Sequence, residues 1–155
     1  MQLKVNDFGD GGEIPEKYTC DGKNLRPDFS WNEAPEGTQS IALSCIDPDV
    51  PREVRGDGIF SHWLVVNIPA SVTEVKGAAP LPEGAIEIEN DFGRGAWGGP
   101  CPPDREHRYF FKVYALDVAH LDPSDLDLDN FEEKIAEHVL AEAQVIGRYC
   151  RPVNR

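Results

Sequence analysis

The chain is 155 residues long, 40% hydrophobic, and carries a formal net charge of −13. That length suits one compact domain with its own core, so residues 1–155 are read as a single unit. The acidic balance argues against a nucleic-acid face or an anionic-membrane surface. No run of ~20 apolar residues is available to span a bilayer, and the N-terminal stretch lacks the basic-then-apolar layout of a secretion signal. The expectation is a cytoplasmic protein with no integral membrane association.

Gly and Pro are spread through the first two thirds, as in β proteins with many turns. Short strands are expected at 2–5 and 28–31. "QSIALSCI" (39–46) reads as a strand, and Asp47 continues the parity of Ile41, Leu43 and Cys45 where that strand ends. Pro48 and Pro51 stiffen the exit, with Asp49 between them. "FSHWLVVNIP" (60–69) is apolar on both sides and suits a central strand. Its parity predicts His62, Leu64, Val66 and Ile68 on one face, and Trp63, Val65 and Asn67 on the other. Another short strand is expected at 85–89.

"GGPCPP" (98–103) is a stiff loop, because Pro100, Pro102 and Pro103 each lack a backbone N–H. "HRYFFKVYAL" (107–116) follows as a strand with His107, Tyr109, Phe111 and Val113 on one face. Beyond it, Phe131, Ile135, Val139, Ala143 and Ile146 recur at helical spacing. Acidic residues lead that stretch and Gly147 closes it, which predicts one long helix from about Asp129 to Ile146. Acidic clusters at 83–91 and 122–133 read as solvated surface, and His120 and His138 as structural or solvated. Trp31, Trp63 and Trp97 are assigned to the core or a pocket wall. Cysteines 20, 45, 101 and 150 form no CxxC pair, which argues against a zinc ribbon. In a reducing compartment they would mostly be thiols, although an even count leaves room for one disulfide.

Three places look chemical: Asp47 with Asp49, His62, and His107 with Tyr109. Taken singly, each has a plainer role. An Asp-Pro step at a strand end is usually a turn starter, a histidine entering a strand is usually structural, and Tyr109 is by default a core aromatic. Their placement is informative. Asp47 closes a strand, whereas His62 and His107 open theirs, so antiparallel neighbours would bring all three to one end of a sheet, walled by the Gly98–Pro103 loop.

These stretches together resemble the phosphatidylethanolamine-binding protein family, in its short bacterial and archaeal, Raf-kinase-inhibitor-like branch. The resemblance is carried in order by "DGKNLRPDFSW" (21–31), "DPDVP" (47–51), "SHWLVVNIP" (61–69), "GPCPPDREHRYFFKVYALD" (99–117) and "EHVLAEAQVIGRYCR" (137–151). It implies a mainly β fold: a β-sandwich with a central antiparallel sheet, a smaller second sheet and flanking helices, here a C-terminal one. It also implies a small anion pocket at one end of the central sheet, for a phosphate-like group such as a phosphorylated head group or side chain.

Carried over by position, the ligand-binding set is Asp47, Asp49, His62, Gly99, Cys101, Pro102, Pro103, His107 and Tyr109. Here the imidazoles and the phenol would donate to ligand oxygens, Asp47 would orient an imidazole, and Asp49 could meet a bound amine. Loop N–H groups would complete an anion nest. The resemblance further implies a regulatory protein without a cofactor or a catalytic step, modulating a kinase or protease partner, with homodimers frequent among relatives. The rival readings are a metal-assisted phosphoester hydrolase using the same histidines and aspartates, and a scaffold with a vestigial pocket. Three positions depart from the family pattern: Arg26 stands where Ser is usual, Cys101 is unusual, and the link "DRE" (104–106) is one residue short.

Overall fold

The computed structural model describes residues 1–127 and 129–155; Leu128, within the predicted acidic stretch, lies outside them. Among the described residues eight strands form two antiparallel sheets: β1 (Gln2–Val5), β2 (Phe29–Asn32), β3 (Ser40–Asp47), β4 (Phe60–Pro69), β5 (Glu74–Val75), β6 (Ile86–Ile88), β7 (His107–Leu116) and β8 (Val139–Tyr149). The smaller sheet has the order β1-β2-β5, and the larger the order β6-β4-β3-β7-β8. The helix α1 (Phe131–Ala136) precedes β8. Among the described residues no helix is long and apolar enough to cross a membrane.

Period-two alternation separates two cores. Leu43, Cys45, Phe111, Val113 and Val145 point between the sheets and pack with Phe29, Trp31 and Trp63. Ala42, Leu64, Val66, Tyr114 and Leu116 point the other way, under Leu126, Phe131 and Ile135. β3 and β4 are therefore apolar on both faces, as a covered central strand requires. Complete burial of a valine, leucine, isoleucine or phenylalanine side chain here contributes roughly 1.5–3 kcal/mol.

The long helix expected over 129–146 is not formed. α1 ends at Ala136, and the chain re-enters the large sheet as β8. A spacing of four residues fits a helix and also returns to the same face of a strand, so Phe131, Ile135, Val139 and Ala143 cannot separate the two. The odd positions that follow decide it. Val145, Gly147 and Tyr149 are buried while Leu140, Glu142 and Gln144 are exposed, and β8 pairs with β7 from His107↔Tyr149 to Leu116↔Val139. Gly147 is thus a mid-strand residue opposite Tyr109, not a helix cap.

β4 departs from simple parity at two points. Its register against β3 skips His62, since Cys45 faces Trp63 and Ile46 faces Ser61. It skips again beyond Val65, which faces Leu43 while Ile68 faces Ile41. Each skip is a β-bulge, an extra residue that turns the following side chains over. At the second bulge Asn67 adopts φ 63°, a left-handed conformation that Asn tolerates. Asn67 therefore moves to the α1 side, where its amide bonds both ways with the Leu121 backbone (2.9 and 2.8 Å), and Ile68 moves into the inter-sheet core. The faces expected for these two residues are thus exchanged.

Candidate functional site

Because β3 runs antiparallel to both β4 and β7, its last residue, Asp47, lies beside the opening residues of its two neighbours. Asp47, Phe60, His62 and Tyr109 line a cavity of ≈ 310 Å³ there. Val50 and Val54 close one side, Phe92 another, and Cys101, Pro102 and Pro103 form the wall. Clefts of similar size on the outer face, one lined by Glu87, Asp127 and Asp129 and one by Arg55, Asp129 and Glu132, gather mainly acidic and aliphatic side chains. The strand-end cavity is where carboxylate, imidazole and phenol meet.

The first β4 bulge aims the histidine. In a regular strand His62 would share the Leu64 face; the extra residue puts it on the Asp47 and Tyr109 side, with its ring 5.3 Å from that of Tyr109 and 5.0 Å from that of Phe60. The His62 Nδ1–H donates to the Gly98 carbonyl (2.7 Å). Burial pushes the pKa of this ring down, against the Gly98 carbonyl and Asp47, which pull it up. At neutral pH His62 is therefore uncharged, with its proton on Nδ1. Among the described residues Nε2 meets no hydrogen-bond partner.

His107 is arranged differently. Its ring is fully buried, Nδ1 donating to Asp47 Oδ2 (2.7 Å) and Nε2 to Asp104 Oδ1 (2.6 Å). Burial alone would lower its pKa, but the carboxylates of Asp47 and Asp104 outweigh that and raise it. The product is an imidazolium held between two carboxylates, with no N–H left for a ligand. The second Asp47 oxygen, Oδ1, accepts the Asp49 backbone N–H (2.7 Å). Asp104 opens the "DRE" link, three residues before His107, and its carboxylate meets the ring nitrogen from there.

Tyr109 is fully buried, yet its hydroxyl has no hydrogen-bond partner among the described residues. Burial first, and Asp47 second, drive its pKa far upward, so the phenol stays a donor. A buried, unsatisfied hydroxyl costs roughly 1–3 kcal/mol, and such a group at a cavity wall points to a missing partner.

The loop wall is pinned on both sides. The Gly98 N–H donates to the His62 carbonyl (3.2 Å) and the Gly99 N–H to Asn24 Oδ1 (2.9 Å). A Cβ on Gly99 would lie 2.2 Å from the Tyr18 carbonyl oxygen, so only glycine fits. Within Pro100–Pro103 the one backbone N–H belongs to Cys101, and it has no partner among the described residues. Its side chain forms a disulfide with Cys20, a pairing for which the even cysteine count left room; Cys45 and Cys150 remain free. No spacing rule pairs residues 81 apart in the chain.

The family model for phosphatidylethanolamine-binding proteins matches residues 4–150. The chain belongs to the phosphatidylethanolamine-binding protein family. A relative from Methanothermobacter thermautotrophicus is 44% identical over 156 residues, covering 97% of this chain and 99% of its own. A phosphatidylethanolamine-binding protein homologue from Chlamydia trachomatis superposes with a TM-score of 0.89 at 36% identity, covering 97% of both chains. Escherichia coli YbcL, described as a member of the mammalian family, gives 0.84 at 32% identity and 96% coverage of both chains.

Of the residues expected in this family's pocket, Asp47, His62, Cys101, Pro102, Pro103 and Tyr109 line the cavity. His107 stands behind it, sealed by carboxylates. Asp49 turns away: its carboxylate accepts from Arg108 Nε (2.9 Å), Nη2 (2.8 Å) and backbone N–H (2.9 Å), with Arg108 lowering its pKa to about 2. The Gly99 N–H is already spent on Asn24. Sequence reasoning missed Val50, Val54, Phe60, Phe92 and Asp104. The first four read as ordinary apolar residues, and only Asp104, three residues before a candidate histidine, left a local signal.

Proposed function

We propose that the chain is a regulatory binding protein for a phosphate-like anion, with no catalytic step. The observation that carries this reading is that Tyr109, Cys101 and His62 line one cavity and each has a polar group without a hydrogen-bond partner among the described residues: the Tyr109 hydroxyl, the Cys101 N–H and His62 Nε2. The first two are donors as they stand. His62 becomes a third on taking up a proton, which a bound anion stabilises. The walls are apolar, so each such bond is stronger than in water. A phosphorylated group on a kinase or protease partner is one source of the anion, as the family resemblance implies. A metal-assisted hydrolase is less well supported. Among the described residues no three His, Cys, Asp or Glu side chains are placed to hold a metal ion, and both His107 nitrogens are engaged.

The test is calorimetric titration with sulfate, which does not itself titrate between pH 6 and 8. Anion binding by this route takes up a proton on His62, whose pKa in the free site is low, so affinity should be at least ten-fold higher at pH 6 than at pH 8. Equal affinity at both pH values would remove His62 from the account, and absence of binding would remove the function.

A further inference from the structure

The nature of the group attached to the anion can be read from the mouth of the same cavity; this inference rests on the anion-binding reading above. Outward of His62 and Tyr109 the walls are Val50, Val54, Phe60, Phe92, Pro102 and Pro103. Val54 is 53% exposed and Phe92 43%. Single exposed apolar residues are ordinary, but these two flank one opening and both are held in place. Phe92 packs edge-on against the rings of Phe60 (4.8 Å) and His62 (5.4 Å). Its N–H donates to Asn90 Oδ1 (3.0 Å), and buried Asn90 in turn donates to the His62 carbonyl (2.9 Å). Next to it, Asp91 accepts from the Ser61 N–H (2.7 Å) and pairs with Arg55 (3.0 Å). Val54 closes a turn on the Pro51 carbonyl (2.9 Å).

The charges around the opening point the same way. The carboxylate best placed by sequence to meet an amine, Asp49, is occupied by three bonds from Arg108. Asp47 spends one oxygen on His107 and the other on the Asp49 N–H. An ammonium carried beside the anion would lose its water against valine, phenylalanine and proline, and among the described residues that line the cavity the one carboxylate, Asp47, is already engaged. A flat apolar arm would lose nothing and would cover Val54 and Phe92.

We infer that the site takes a phosphomonoester whose organic arm is uncharged and apolar, aromatic or branched aliphatic, and discriminates against zwitterionic phosphate heads. The ester can be a free small molecule or a phosphorylated aromatic side chain, and the chemistry at the mouth is the same.

The test is calorimetry of the intact protein at pH 6.5 with phenyl phosphate, O-phosphoethanolamine and inorganic phosphate. Phenyl phosphate should bind at least ten-fold more tightly than O-phosphoethanolamine and at least five-fold more tightly than inorganic phosphate. Val54→Ser, at an exposed rim position, and Phe92→Ser should each shrink the preference over inorganic phosphate three-fold or more. O-phosphoethanolamine matching or exceeding phenyl phosphate overturns the inference while leaving the anion site standing, as does inorganic phosphate binding as tightly as either ester. Failure of all three, and of sulfate, refutes the anion site itself. A short phosphotyrosine peptide separates the sources. Affinity within three-fold of phenyl phosphate assigns the arm to a protein side chain, exclusion of the peptide assigns it to a free ester, and either sustains the chemistry.

Discussion

Breaking the Cys20–Cys101 disulfide tests both stability and the site. The bond joins residues 81 apart, and a closed loop of that length removes about 4.5 kcal/mol of conformational entropy from the unfolded chain. Spread over the unfolding entropy of a 155-residue domain, this corresponds to about 14 °C in Tm, and residual structure in the reduced unfolded chain lowers it to about 5–14 °C. Locally, Cys101 loses its covalent tie to Cys20, and the loop keeps only hydrogen bonds such as Cys20 N–H to Pro100 O (3.1 Å) and Asn154 Nδ2 to Pro103 O (3.2 Å). Air-oxidised protein should therefore show a Tm 5 °C or more above the same protein in dithiothreitol, with Cys20→Ser resembling the reduced form. Sulfate affinity should drop several-fold on reduction as the Cys101 N–H loses its fixed position. A thiol reagent under denaturing, non-reducing conditions should count two thiols, Cys45 and Cys150. Four thiols, or a Tm indifferent to dithiothreitol, would refute the reasoning.

Three further outcomes follow from the site. Tyr109→Phe deletes a hydroxyl that has no hydrogen-bond partner among the described residues, so the denaturation midpoint should stay level or rise while sulfate affinity falls about ten-fold or more; a midpoint that falls with affinity unchanged would give the hydroxyl a structural role instead. Asp49→Asn should change sulfate affinity less than two-fold, because that carboxylate serves Arg108 outside the cavity, and a larger change in calorimetry would place Asp49 in the site. His107 has a raised folded pKa, so its stabilisation is complete below the ordinary histidine value of about 6.5 and is lost as pH rises through the folded value. His62, with its depressed value, acts with the opposite sign, stabilising above about 6.5 and less so as pH falls. Urea midpoints of wild type and Asp104→Asn across pH 5–9 isolate the His107 contribution: the alkaline loss should begin at lower pH in the variant, and superimposable profiles would count against the Asp104 contact.

Much of the sheet core could be read from strand parity before the fold was seen, and the meeting of Asp47, His62 and Tyr109 at one sheet end from antiparallel pairing, although parity put His62 on the Leu64 face and only the β4 bulge turns it to Asp47. What escaped had physical causes. The stretch 131–143 repeats every four residues, a spacing that helix and strand share, and β7 supplied the ten-residue ladder that resolved it. His107 and His62 look alike in sequence, each opening a strand, but whether a ring nitrogen is spent depends on carboxylates brought in by the fold. The collar of Val54, Phe60 and Phe92 carried no signal, since apolar residues acquire a binding role only by where they meet.

The two bulges in β4 make chain length itself a functional variable. Deleting one residue near Ser61 would keep every residue type of the pocket in the sequence and hardly alter its percentage identity to relatives. The imidazole would nevertheless be returned to the Leu64 face, beneath the helix, and the cavity would lose the ring nitrogen on which the proposed proton uptake depends. In this fold a single-residue gap inside a strand carries more information about binding than many substitutions, and sequences aligned through β4 are best compared by register before they are compared by residue.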